Sequence, residues 1–516
     1  MTSFFLPLAG PLILLAAAIL AARNPGLRPA WIPEIAETAA FAAFVVAAGS
    51  VGLLVMKGPG SSAMIGLWGV GLSVRLDAVS MVMLLLVSFI GWIVLRFSRS
   101  YMDGDARQGA FTGWMLSTLA AVLLLVMSGN VVQLLAAWIA TSLSLQRLLL
   151  FFPERATAQR AARKKAVIAR MGEAALAGAI LLLVSATGST DVATILEMAE
   201  PGALTLAAAL LIAGAAVLAS AQFPAHGWLT EVMEAPTPVS ALLHAGVINA
   251  GGFLLIRFAD VMLLAPGVMA VLVMVGGFTA LFAGLVMLTQ PAVKTSLAWS
   301  TIAQMGFMVM QCGLALFPLA LLHIAAHSLY KAHAFLGSGE AVKTVAAIRR
   351  PGPIAVPSAR NVLWAFVIAI GIYGLVGAGL GFEGKSVQSI ALGVILIFGV
   401  AYLLAQGFAD TAPRALMQRT VIYALVTSVS YFALQKAALH VTAGTLPATP
   451  APGPLEWALI VLALLSFGIV AVAQATFPLW AQHPAAAGLR VHLSNGLYAN
   501  AIFDKLLGGW SRRSTV

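Results

Sequence analysis

Apolar stretches of about 20 residues, parted by short polar breaks, recur along the whole chain. That is the length of helix needed to cross the hydrocarbon core of a bilayer, at 1.5 Å per residue. Segments near 4–22, 35–56, 76–96, 110–128, 130–150, 166–186, 203–222, 239–258, 262–288, 296–315, 317–340, 361–381, 387–408, 417–438 and 455–478 fit. The pattern therefore predicts an all-α polytopic membrane protein of about fifteen spans, with loops too short to hold a soluble domain. The opening Met1–Ala22 has no basic start and no obvious cleavage site, so it reads as a retained first span. Composition agrees: of 516 residues, 61% are hydrophobic and 9% charged, where a soluble domain carries about a quarter charged residues.

One apolar segment breaks its own pattern. Between Leu319 and Leu336 stand His323, His327 and Lys331, four residues apart. Four residues of α-helix turn about 400°, so the three side chains share one face and drift by about 40° per step. A charge at the centre of a bilayer costs roughly 2.5–3.5 kcal/mol on insertion scales. Three ionisable groups on one helix face therefore predict a polar or water-lined interior, the usual setting for moving protons or ions. Histidine suits that task because its ordinary pKa, about 6.5, lies near working pH. The His-xxx-His spacing also suits zinc, but no carboxylate or thiolate stands nearby as a third ligand.

Two places suggest interrupted helices. Pro224, Gly227, Pro236 and Pro238 break Gln222–Gly252, and Gly337 and Gly339 follow the ionisable segment. Interruptions at membrane depth survive only where protein or water satisfies the freed backbone groups. His244 lies in the segment after the first break and reads either as a relay on the bundle axis or as a core histidine. Lys294 stands near a membrane face, as topology anchor or as inner entrance. Glu231 and Glu234, at the inside end of the broken segment, read either as solvated carboxylates or as groups that gather a cation or contact a partner. Arg170 and Glu173, three apart, predict a helix-start ion pair. His226 is expected to be hydrogen-bonded at the interface. Cys312 is the only cysteine, which excludes a disulfide framework within the chain and suggests core filling.

The net charge of +11 is a topology signal, not a nucleic-acid footprint. Most of the 29 Lys and Arg residues fall in loops after odd-numbered segments, including the dense Arg147–Arg170 group; the other loops hold Lys57, Arg75, Arg257, Lys385 and Lys436. The positive-inside rule then puts the N-terminus outside and the C-terminus in the cytoplasm. Phe152–Arg170 reads as a basic amphipathic stretch at anionic lipid or a docking surface. Val342–Arg360 reads as a cytoplasmic connector, Ala443–Leu455 as an outside loop, and Leu489–Val516 as an interfacial amphipathic helix.

The strings HGWLTEVMEAPTPVSALLHAGVINAGG (226–252), VKTSLAWSTIAQMGFM (293–308) and LHIAAHSLYKAHAFLGSGE (322–340) resemble the antiporter-like subunits of respiratory complex I. They are similar also to the large subunits of multisubunit sodium/proton antiporters. The resemblance implies inverted five-helix repeats with broken helices, and ion half-channels meeting at mid-membrane. It implies this division: 1–109, N-terminal transmembrane helices; 110–258 and 259–410, two antiporter-like repeats; 411–480, C-terminal transmembrane helices; 481–516, a cytoplasmic amphipathic tail. It also implies an ion pathway through His244, Lys294, His323, His327 and Lys331, with Arg170-Met-Gly-Glu173 matching an Arg-x-Gly-acid motif. Two positions depart from the family: Ile139 follows Trp138 where it has Glu, and Ala219 precedes Ser220-Ala221-Gln222 where it has Lys. Lys385 matches its twelfth-span lysine only loosely. Together with 136–165 and 223–258, these departures resemble the DabB branch, membrane subunits of an inorganic-carbon pump.

The DabB resemblance implies a cation-conducting subunit, for H+ or Na+, in a bacterial inner membrane. It would power CO2 hydration in a DabA-like zinc protein on the cytoplasmic side, with zinc in that partner and no cofactor in this chain. The chain itself then reads as a transporter subunit, not an enzyme. The alternatives are a proton-translocating subunit of a respiratory or sodium/proton antiporter complex, and a non-conducting anchor for a soluble enzyme.

Overall fold

The architecture is that of a computed structural model describing residues 2–341, 357–382, 384–408 and 414–508. Most of the expected connector Val342–Arg360, and the tail beyond residue 508, lie outside the described residues. The first helices are α1 (Ala9–Arg23), α2 (Ile32–Lys57), α3 (Ala78–Tyr101), α4 (Gln108–Val126), α5 (Val131–Leu149) and α6 (Ala156–Thr187). Then come α7 (Ala203–Ala219), the five-residue α8 (Gly227–Glu231), α9 (Thr237–Ala245), α10 (Ala250–Arg257), α11 (Pro266–Met287), α12 (Val293–Gly313) and α13 (Phe317–Leu336). The chain closes with α14 (Ala359–Leu380), α15 (Val387–Gly407), α16 (Arg414–Thr442), α17 (Pro454–Ala475), α18 (Pro484–Ser494) and α19 (Ala499–Gly508).

Among the described residues, twelve helices are long and apolar enough to cross a membrane, not about fifteen. Three expected segments stand apart for physical reasons. Helix α7 has the composition but only 17 residues, while α12 and α13 have the length but carry glutamines, histidines and lysines that lower their hydropathy. The helix that carries His323, His327 and Lys331 is thus one that a hydropathy criterion passes over.

Local chemistry sets several helix ends. Asp77 caps α3: its carboxylate accepts from Ser80 N at 2.9 Å, and Ser80 Oγ accepts from Asp77 N at 2.8 Å. Asn130 caps α5 through Gln133 N. Between α2 and α3 lie two small antiparallel ribbons, β1 (Gly60–Ser61) with β4 (Arg75–Leu76) and β2 (Ile65–Leu67) with β3 (Val70–Leu72). Strands of two or three residues are too short for an alternation signal, which is why the hydrophobic pattern did not reveal them.

The Gln222–Gly252 interruption takes a definite form. Helix α8 and a 3₁₀ turn, Val232–Glu234, bridge α7 to α9. Helix α9 ends at Gly246 (φ −120°, ψ −77°), a second 3₁₀ turn covers Val247–Asn249, and α10 completes the span. This broken span is the most enclosed of the candidates, 89% of its central stretch being buried, so it runs along the axis of the bundle. Helix α13, by contrast, is continuous through His323, His327 and Lys331, breaks at Gly337, and is followed at once by helical residues 338–341, so the interruption expected there lies just beyond the ionisable stretch.

Buried apolar side chains from α1 through α13 form one extended core. A smaller cluster joins α14, α15 and α16, and a third joins α12, α15 and α17.

Candidate functional site: a buried histidine–lysine line

Helix periodicity places His323, His327 and Lys331 along one side of α13, over about 12 Å of helix rise, and their partners come from α9 and α12. His323 Nδ1 lies 2.7 Å from Gln311 Oε1, and Nε2 lies 2.8 Å from Gln304 Oε1. Two carbonyl oxygens suit an imidazolium, which donates from both nitrogens; rotating either amide offers a donor in place of an acceptor and suits the neutral ring. The pocket therefore accommodates both protonation states. The ring is half-buried, and Gln304 is exposed on the flank of the bundle.

The His327 ring stands 6.1 Å from that of His323. Its Nε2 lies 3.2 Å from the carbonyl oxygen of His244 and must donate to it, since a carbonyl only accepts. Nδ1 then carries a lone pair, and it is buried without a protein partner. His244 itself is fully buried, stacked on Phe335 at 4.3 Å. Its Nδ1 lies 3.0 Å from Thr301 Oγ1, whose own hydroxyl donates to Leu297 O at 3.0 Å. Nδ1 is therefore the donor, and Nε2 is a second buried ring nitrogen with a lone pair and no protein partner.

Lys331 Nζ donates to the same Leu297 carbonyl at 3.1 Å, and the side chain is fully buried. Leu297 O thus joins Lys331, through Thr301, to His244, and His244 O joins the line to His327. Asn249, in the turn that breaks the axis span, donates to Ser328 Oγ at 2.8 Å and Ala245 O at 3.1 Å. The kink that frees backbone carbonyls is where side chains of α13 and the turn collect them.

The other expected residues divide. Lys294 sits in the first turn of α12, three residues before Leu297. It lines a cleft of about 620 Å³ with Asp103, Asp105, Arg155 and Glu234, at the basic end of the bundle and off the hydrogen-bonded line. Glu234 pairs with Arg155 at 3.0 Å. Glu231 is neither solvated nor free to gather a cation: it pairs with Lys164 at 2.5 Å and Arg160 at 3.5 Å, and accepts from Asn500 Nδ2 at 2.9 Å. Lys164 also meets Asp504, so α19 is docked against α6 and α8. Arg170 and Glu173 form the expected pair at 2.6 Å, though in the middle of α6 rather than at a helix start, and lie by Ser142, apart from the histidines. His226 is buried among Phe223, Phe282 and Trp299, and its Nδ1 has no protein partner. An aromatic cage takes the place of the expected interfacial hydrogen bond, because the α8 segment folds back into the bundle. Lys385 donates to Gln435 Oε1 at 2.6 Å over the Phe432 ring; burial, and then the charge of Lys436, lowers its ammonium to about 8.

Gln304, Gln311 and Thr301 escaped the sequence reading. The signal was present, since the two glutamines fall seven residues apart in an apolar stretch, two turns along one helix face.

These features define a class: a polytopic antiporter-like membrane subunit, with ionisable groups strung along its axis. Residues 128–387 match the family model described as "NADH:quinone oxidoreductase/Mrp antiporter, TM", and residues 63–112 match "NADH-Ubiquinone oxidoreductase (complex I), chain 5 N-terminus". The chain is 36% identical over 523 residues to a "Probable inorganic carbon transporter subunit DabB2" of Halothiobacillus neapolitanus, covering 98% of this chain and 94% of that one. A Hydrogenovibrio crunogenus protein of the same description, DabB, is 48% identical over 276 residues, about half of either chain (52% and 53%). NADH-quinone oxidoreductase subunit L of Mycobacterium tuberculosis is 36% identical over 279 residues, covering 53% of this chain and 44% of that one. The chain belongs to the DabB family, within the complex I and Mrp antiporter-like superfamily. Its fold is shared with a chain of the Mrp complex from a Dietzia species (TM-score 0.64, 23% identity, 98% of this chain and 59% of that one). It is shared also with a chain of an archaeal membrane-bound sulfane sulfur reductase (TM-score 0.58, 17% identity, 97% and 99%).

Proposed function

We propose that this chain is the cation-conducting membrane subunit of an energy-coupled inorganic-carbon uptake complex, with H+ as the cation. The observation that carries the reading is the buried line from His323 through His327 and His244 to Lys331. It combines ring nitrogens that hold free lone pairs with a hydrogen-bonded link between histidine and lysine. A proton can bind at either lone pair without breaking the existing bonds, which is what a relay needs and a purely structural polar knot lacks. The printed names of the DabB relatives supply the cargo, inorganic carbon.

In this reading Lys331, near the basic end of α13, hands charge toward the cleft of Lys294 and Glu234. The N-terminus lies outside and the C-terminus in the cytoplasm of a bacterial inner-membrane protein, as the basic residues direct. A DabA-like zinc protein docks on that cytoplasmic side and hydrates CO2 at the expense of the cation gradient. The departures at Ile139 and Ala219 favour this complex over a respiratory or sodium/proton antiporter one.

The test is rescue of a carbonic-anhydrase-deficient bacterium in ordinary air. Rescue is expected only when the chain is expressed with its zinc-protein partner, and it should disappear in Lys331→Ala and His327→Ala at unchanged membrane abundance. Growth that survives both substitutions overturns conduction along this line and leaves the chain a non-conducting anchor.

A further inference from the structure

A second ionisable group, away from the histidine line, sits in a cavity of its own. Lys165 lies on α6, with only 6% of its surface exposed. Its Nζ meets neutral oxygens, Ser142 Oγ at 2.8 Å and Ser142 O at 3.2 Å. The charges acting on it are those of Glu173 and Arg170 on the same helix. Among the described residues that line the cavity, α5 contributes Trp138, Thr141 and Ser142, α7 Ala219, and α8 Trp228, none of them charged. The space measures about 60 Å³, room for a few water molecules, with the lysine and serine as polar partners. A smaller void of about 10 Å³ shares Leu125, Thr141, Val247 and Ala250 with it and extends to Gly246. Gly246 is where the axis span breaks. On the far side of that break, the carbonyls of His244 and Ala245 accept from His327 and Asn249.

We infer that Lys165 is a proton-carrying residue of the first half of the bundle, joined to the histidine–lysine line through the cavity and the kink at Gly246. The inference rests on the conducting function proposed above. An ammonium can leave one hydrogen on each Ser142 oxygen and aim its third into the cavity. On transfer, that N–H bond breaks, its electron pair stays on Nζ, and the proton forms a new O–H bond on a cavity water. The neutral amine still has two hydrogens for Ser142, so its anchorage survives in both states. Ser142 positions the lysine and takes no part in the transfer.

The inference is tested in inverted membrane vesicles from cells expressing the full chain with its partner subunit, by the initial rate of proton flux from about pH 6 to about pH 10. Lys165→Met and Lys165→Arg should each lower the rate roughly tenfold or more, because arginine keeps the charge and hydrogen bonds but does not release a proton. Lys165→His should keep part of the rate, with the alkaline limb of the profile moved to lower pH, since imidazole holds its proton only at lower pH. Wild-type rates in Lys165→Met or Lys165→Arg, or an unshifted limb in Lys165→His, overturn the inference. Lys331→Ala is run alongside: flux lost there but not at Lys165 refutes this inference alone, while flux lost at neither refutes the conducting function as well.

Discussion

Asp77 and Arg257, 180 residues apart, meet through bonds of 2.5 and 3.2 Å with both side chains 3% exposed, and Arg75 holds the same carboxylate at 2.7 Å. Burial by itself raises a carboxyl pKa, but the two guanidinium charges and the Ser80 amide outweigh it and hold Asp77 well below the usual carboxylate range. A depressed folded value contributes stability that is fully present above the unfolded pKa of about 3.9 and is lost as pH falls through the folded one. The thermal midpoint of the purified protein should therefore owe none of its change between about pH 7 and about pH 5 to this group. Arg257→Ala leaves a buried carboxylate with one partner fewer and is expected to cost about 3–5 kcal/mol, read as a lowered thermal midpoint in detergent. An unchanged midpoint would show that the pair contributes nothing. Neither residue draws attention as a partner in the sequence: Asp77 passes unnoticed and Arg257 counts only as a loop charge. A pair so distant in the chain becomes visible only when folding brings the end of α10 to the start of α3.

Between helices, small residues decide how closely the backbones approach. A side-chain carbon at Gly306 would stand 2.6 Å from Ala280 N and 2.7 Å from Gly276 O, and one at Gly313 would stand 2.7 Å from Val273 N. Helices α11 and α12 are therefore in backbone contact, the association that small residues permit where lipid supplies no hydrophobic drive. Because α12 carries Thr301, Gln304 and Gln311, this seam fixes the partners of His244 and His323. Gly306→Val should force the helices apart at a cost of about 1–3 kcal/mol and lower both the melting midpoint and carbon uptake. Gly284→Ala, with nothing within 4 Å of the added carbon, should change neither; equal damage from the two would place the seam elsewhere. The irregular connection into the axis span was legible at this scale, since Pro224, Pro236 and Pro238 announce it. The kink at Gly246 was not, because a lone glycine in an apolar stretch reads equally well as close packing.

For the whole molecule, lipid imposes the architecture and charge imposes the orientation. The basic residues collect at one end of the bundle, where Arg155, Arg160 and Lys164 meet Glu234, Glu231 and Asp504. In a Cys312→Ala background, a membrane-impermeant thiol reagent should label Ala451→Cys in intact cells and Glu154→Cys only after permeabilisation. The reverse pattern would invert the topology and put the Lys294 cleft outside. The tail is more than an interfacial anchor at this scale. Lys164, 1% exposed, is neutralised by Glu231 and Asp504, with Asn500 beside it and the Phe503 ring 5.8 Å away, so the last described helix fastens the broken segment to α6. The amphipathic pattern predicted one helix from Leu489, whereas the described residues form two, α18 and α19, parted by a turn at Gly496–Tyr498, and a pattern of that kind does not say whether lipid or protein covers them.

By itself the sequence determined that this chain lives in a membrane, where most of its long helices begin and end to within a few residues, though not that α6 starts at Ala156 rather than near 166, and that His323, His327 and Lys331 share a face. Each of these follows from hydropathy or helical pitch, which act over one or two turns of chain and need no partner. Tertiary structure alone decided that Leu297 O is the meeting point of Lys331 and Thr301. It also decided that His244 presents its carbonyl to His327, that Glu231 is paired rather than solvated, and that Lys165 faces a cavity. Those outcomes depend on how each helix is rotated about its axis and which neighbours it meets, and hydrogen bonds a few ångströms long form or fail with small changes in that rotation.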